Sequence, residues 1–169
     1  MVTRFQIAIA AVVVVMVILV ILPSLNISKP NANSQKQLNL EYHRQELRRA
    51  GATTALVATN TDILTIENDG SARYSKLVGS HDEKTFAISS DEMKQLKGLI
   101  FDTGFMNIPS IGYIQKEGLT NVTEYALKVN ADGSAKMINW VDPNSYNGTI
   151  PPIVINIGST LDRLISKYI

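Results

Sequence analysis

Residues 5–22 read FQIAIAAVVVVMVILVIL, eighteen positions with no charge and one polar member, Gln6. As a helix this run rises about 27 Å, close to the ~30 Å hydrocarbon core of a bilayer. A cleaved signal peptide has a shorter apolar region, about 7–15 residues, ahead of a small-residue cleavage site. Here Pro23-Ser24-Leu25-Asn26 follows instead. The expectation is a retained single-pass anchor over residues 1–22, held in the lipid bilayer through residues 5–22. Arg4 precedes the run while Lys29 and Lys36 follow it, so the positive-inside rule alone does not orient it. The short flank before the run, with its charges abutting the span, favours a cytoplasmic N-terminus and a C-terminal body outside the cytoplasm. Sequons at Asn26, Asn121 and Asn147 agree with export and are the candidate glycosylation positions. A pilin-like subunit also places an apolar helix before a β-rich body. Arg4-Phe5 lacks the Gly or Ala junction of such proteins, and no Glu sits early in the helix.

The remaining chain has room for one ordinary domain. It contains no cysteine, which removes disulfides, thiol nucleophiles and thiolate metal sites together. Charge divides unevenly: residues 1–50 carry six Lys/Arg against two Asp/Glu, and residues 51–169 carry ten against thirteen. An acidic body argues against nucleic acid as a partner. Residues 23–50 read as a polar, basic linker. The stretch LNLEYHRQELRRA at 38–50, with Gly51 behind it, predicts a short helix ending in a glycine cap.

From residue 54 the hydrophobic period becomes that of strands. TALVAT and ILTIE are β-branched runs, and the second leads through Asp69-Gly70 into another strand. Asp-Gly between two such runs marks a hairpin, because Gly takes the left-handed position without a Cβ clash. The pattern recurs around Asp132-Gly133. Aligning the two DGSA segments sets Leu64 on Leu127, Ile66 on Val129, Arg73 on Lys136 and Tyr74 on Met137. Each hairpin is later followed by a helix. The first opens with a capping box from Ser89 to Glu92, shows Met93, Leu96 and Ile100 on one face, and stops at Gly104 with Phe105 packing back. The second opens at Pro151-Pro152 and carries Ile157, Leu161, Leu164 and Ile165 at helical spacing. The expected fold class is α+β: an N-terminal transmembrane helix, then one domain over residues 51–169. Its sheet is mostly antiparallel and built from two β-hairpins, each followed by a helix.

Chemistry-bearing patterns are scarce. Read as EF-hand loops, the DG segments place Lys76 at the last ligand position of the first copy and Lys128 at the first of the second. A cation there excludes calcium. His43 and His81 are the only histidines, and His81-Asp82-Glu83 reads as a surface loop. The spacings of zinc proteases, P-loops and serine hydrolases are missing. Asp91 and Glu92 open a helix, where carboxylates favour the dipole. No catalytic, metal or cofactor residue is assigned, and no cofactor is expected. Two long connections remain, 104–121 and 141–152, and such loops are often functional. They and the adjoining strand supply the candidate partner-binding residues Tyr113, Gln115, Lys116, Trp140 and Tyr146.

The run from Ile66 to Glu124 resembles a family of small exported bacterial and archaeal domains of unknown function. The shared layout is carried by Asp69, Gly70, Tyr74, the ISSDEMKQL helix, Gly104-Phe105, Tyr113, Thr120 and Tyr125. Members of that family often begin the first hairpin with a cysteine pair, which this chain lacks. The resemblance implies the fold and export, and no activity. Together these features lead us to expect a membrane-anchored, extracytoplasmic, non-catalytic domain that binds a membrane or envelope protein. The alternative is an exported small-ligand binder or hydrolase with its site between the two loops.

Overall fold

The computed structural model describes residues 36–51, 55–77 and 82–169. The run at 5–22, Asn26 and His81 lie outside the described residues. Among the described residues no helix is long and apolar enough to cross a membrane.

The chain from Lys36 to Ile169 forms one unit. Six strands, β1 (Leu38–Arg49), β2 (Leu56–Ile66), β3 (Ser71–Lys76), β4 (Asp82–Ala87), β5 (Asn121–Ala131) and β6 (Ser134–Val141), form a single sheet. Its order is β4-β3-β2-β1-β5-β6, and every neighbouring pair is antiparallel. Helix α1 (Ser90–Phe101) sits between β4 and β5 in sequence, and α2 (Pro152–Tyr168) ends the chain. The α+β expectation with two hairpins, each followed by a helix, therefore holds for the described residues.

One element overturns its expectation. Residues 38–50 form no helix; they are β1, the central strand, paired with β2 on one side and β5 on the other. Leu38, Leu40 and Tyr42 alternate into the core while Asn39, Glu41 and His43 face away, which is the period of two that a half-buried strand requires. The fold thus begins at residue 36 and not at 51. What had read as linker is the strand on which the sheet is built.

The two DG turns differ in kind. Glu67 and Ser71 close a three-residue loop in which Gly70 takes a φ of 88°. Asp132 and Gly133 make a two-residue loop with φ of 47° and 79°, both left-handed, as a type I′ turn demands. That one-residue difference in loop length shifts the return strand by one position relative to the DGSA alignment. A shift of one exchanges the faces of every side chain. Tyr74 is accordingly 6 % exposed while its aligned counterpart Met137 is 53 % exposed. Arg73 lies outside and Lys136 inside. The equivalence of the halves therefore stops at the turns. Asp69 accepts from the backbone and hydroxyl of Ser71 within its own turn, whereas Asp132 accepts from the N–H of Gln37 ahead of β1 and ties the second turn to that strand.

Both helices lie on the face marked by Leu40, Tyr42, Leu64 and Leu127. Met93, Leu96 and Ile100 of α1 join Ile157, Leu161 and Leu164 of α2 in one core. The helix that follows β4 is capped as expected: the Ser89 side chain accepts from the Glu92 N–H and Glu92 accepts from the Ser89 N–H. Glu92 also receives Lys167 at 2.7 Å and the Tyr168 hydroxyl at 2.8 Å, tying the start of α1 to the end of α2. Those donors, Lys167 first, hold its carboxyl down at about 2. A folded-state pKa below the ordinary value of 4.5 means stability present above pH 4.5 and lost as pH falls through 2. The melting temperature of Glu92→Gln should trail the parent by a constant margin above pH 5, and that margin should close by pH 2. A margin independent of pH would remove the ionic contribution.

Candidate functional site

Residues 108–120, between α1 and β5, form a strap along the outer edge of β6. Gly112 makes a parallel bridge with Asn139, the Tyr113 N–H donates to the Asn139 carbonyl at 3.0 Å, and the Lys116 N–H donates to the Ser145 carbonyl at 2.9 Å. Beneath the strap, the Lys136 ammonium donates to the carbonyls of Met106 and Ile108. Burial pushes its pKa down, as desolvation does to any buried cation. The ring of Tyr113 meets that of Tyr146 edge to face, 5.6 Å between centroids. This contact joins the two connections singled out from the sequence. An edge strand left bare invites unwanted pairing, and the strap covers β6 at this point.

On the sheet face away from the helices, the strap forms one wall of a groove of about 450 Å³. Its floor is two cross-strand rows fixed by register. Thr61, Gln45, Glu124 and Val141 make the first, and His43, Ala126 and Asn139 lie in the second. Ala126 is the smallest of these side chains and leaves the depression between His43 and Asn139. Gln45 donates to the Thr61 hydroxyl at 3.3 Å, and His43 pairs with Glu41 at 2.7 Å. Ile114 stands on the strap at 71 % exposure, and Ile111 of the strap and Met137 of β6 are also exposed.

Of the residues expected to contact a partner, Tyr113, Gln115 and Trp140 line this groove. Tyr113 is mostly buried and Gln115 half-buried. Lys116 is half-buried at the strap's second anchor, and Tyr146 supports Tyr113 from behind. Trp140 is 3 % exposed. It stacks on Tyr125 at 5.2 Å and on Tyr42 at 6.2 Å, so its ring belongs to the core. Asn121 and Asn147 are exposed. The floor residues His43, Gln45, Thr61, Glu124 and Asn139 escaped the sequence reading. The signal that would have found them is the alternation of β1, which sets His43 and Gln45 on one face.

A second polar cluster lies on the helix-covered face. Asp62 is 1 % exposed. It accepts from Arg44 through Nε at 3.0 Å and Nη2 at 2.6 Å, and from the Tyr74 hydroxyl at 2.7 Å. Arg44 also donates to Asp162 of α2 at 3.2 Å, and the Tyr42 hydroxyl donates to the same oxygen at 3.0 Å. Burial, reinforced by the Asp62 carboxylate, pushes the Tyr74 hydroxyl up to about 12. Burial raises Asp162 as well. One guanidinium thus serves two carboxylates and fastens α2 to the sheet. Among the described residues, no group of three or more His, Asp or Glu side chains is placed to hold a metal ion.

No protein-family model matches the chain, and no curated protein matches it.

Proposed function

We propose that this chain is a membrane-tethered, extracytoplasmic, non-catalytic domain that binds a membrane or envelope protein through the groove beside the strap. The observation that carries this reading is Ile114, a large apolar side chain 71 % exposed at the lip of a groove that also presents hydrogen-bonding side chains. Apolar anchors beside hydrogen-bonding groups are the usual make-up of a recognition surface. The floor suits that role, since Gln45 and His43 are positioned by their own partners. The tether rests on the bilayer-matching length of residues 5–22.

The test is a photo-reactive amino acid at position 114 of the full chain in its native membrane. One discrete protein adduct is the expected product. Ile114→Asp should lower co-purification of that partner at least about tenfold, the loss of a binding hot spot, and leave the melting temperature nearly unchanged. A dispersed set of weak adducts, unaffected by Ile114→Asp, would defeat the reading.

The groove's volume favours a second reading, because about 450 Å³ falls within the range of small-molecule sites. A thermal shift of the full chain with a sugar or a metal ion, without any adduct at position 114, would replace the first reading by that one.

A further inference from the structure

We infer that the groove receives a basic side chain, Lys or Arg, of the partner polypeptide; this rests on the protein-binding reading above and specifies its chemistry. No lining residue is a Lys or an Arg, and Glu124 is the one acidic residue among them. Glu124 stands two positions from Ala126 on β5, so both side chains project from the same face, with the carboxylate beside the depression that Ala126 leaves. On the same face, Arg49 donates to the Leu119 carbonyl at 3.1 Å, and Lys128 lies in register with Glu41.

The remaining floor groups favour the same ligand. Gln45 donates one amide N–H to Thr61, and that bond orients its carbonyl oxygen as an acceptor. The amides of Asn139 and Gln115 add two further acceptors around the opening. A carboxylate flanked by amide oxygens matches a guanidinium or an ammonium, which carry donors and no acceptor. Ile114 offers apolar surface to the methylene stem that carries such a head group.

The full chain in detergent micelles is titrated by NMR with two blocked tripeptides, acetyl-Gly-Arg-Gly-amide and its neutral citrulline counterpart. The arginine probe should move the amide signals of Ala126, Asn139 and Gly112 and bind at least about tenfold more tightly than citrulline. Glu124→Gln should remove that preference, Ala126→Met should abolish binding by filling the depression, and added salt should weaken the arginine probe alone. Equal affinity for the two probes, a preference for citrulline, or signal changes that persist in both variants would overturn the inference. The position-114 adduct separates the two proposals. An adduct that forms equally in Glu124→Gln removes the basic side chain and leaves protein binding standing. Loss of the adduct in the parent chain, with the arginine preference intact, removes the protein partner instead.

Discussion

Arg44→Met should destabilise the fold by about 3–5 kcal/mol, the cost of leaving a buried carboxylate without its counter-charge. Methionine replaces the aliphatic stem of Arg44 and deletes its charge, so lost packing contributes little. Asp62 then keeps the Tyr74 hydroxyl at 2.7 Å and the Asn60 amide at 3.4 Å, and no cation. Asp162 keeps only Tyr42. Urea denaturation of the two proteins side by side measures the loss. Asp62→Asn in the Arg44→Met background should recover a large part of it, because a neutral amide no longer needs a counter-ion. A loss under 1 kcal/mol, or no recovery in the double variant, would mean that water reaches Asp62 once Arg44 is gone. The cluster would then be peripheral to stability.

Arg44 also explains which parts of the fold were legible. Hairpins and helices that rest on local chemistry were readable: Asp-Gly turns, the Ser89–Glu92 box and the spacing of Ile157, Leu161 and Leu164 all act within a few residues. β1 was not. Its apolar face is Leu38, Leu40 and Tyr42, three residues, and Arg44 occupies the next inward position. A guanidinium on the core side hides a period of two, and only Asp62 and Asp162, 18 and 118 residues away, make that placement tolerable. Long-range pairing of this kind leaves no local trace. The candidate site inherited the same blindness, since His43 and Gln45 of the groove floor come from β1. The strap residues Tyr113 and Gln115 were reachable because aromatic and polar side chains in a long connection are conspicuous by themselves. The one-residue offset between the two DG turns was invisible for a related reason: the same four letters close loops of three and of two residues, and only the pairing partners decide which.

The second large effect is steric. Gly158 lies in the interior of α2, where glycine costs about 1 kcal/mol relative to alanine. A Cβ built there would sit 2.9 Å from Cζ2 of Trp140, closer than non-bonded carbons tolerate. Trp140 has nowhere to retreat, because Tyr125 stacks on it at 5.2 Å with Tyr42 close by. The helix can approach the sheet this closely only while position 158 lacks a side chain. Gly158→Leu should therefore cost about 3 kcal/mol, at the upper end of overpacking penalties. Gly158→Ala should cost less, as the gain in helix propensity offsets part of the clash. Trp140 is the only tryptophan in the chain, so its fluorescence reports on this contact directly, and Gly158→Leu should redden its emission as the ring is displaced toward water. Trp140→Ala alone opens a cavity and costs about 3–5 kcal/mol, yet that cavity is the space the new leucine needs. The double variant should be more stable than the sum of the two losses implies, by about 2 kcal/mol, within the range measured for residues in direct contact. Additive losses, together with unshifted tryptophan emission in Gly158→Leu, would show that helix and ring do not meet at this distance.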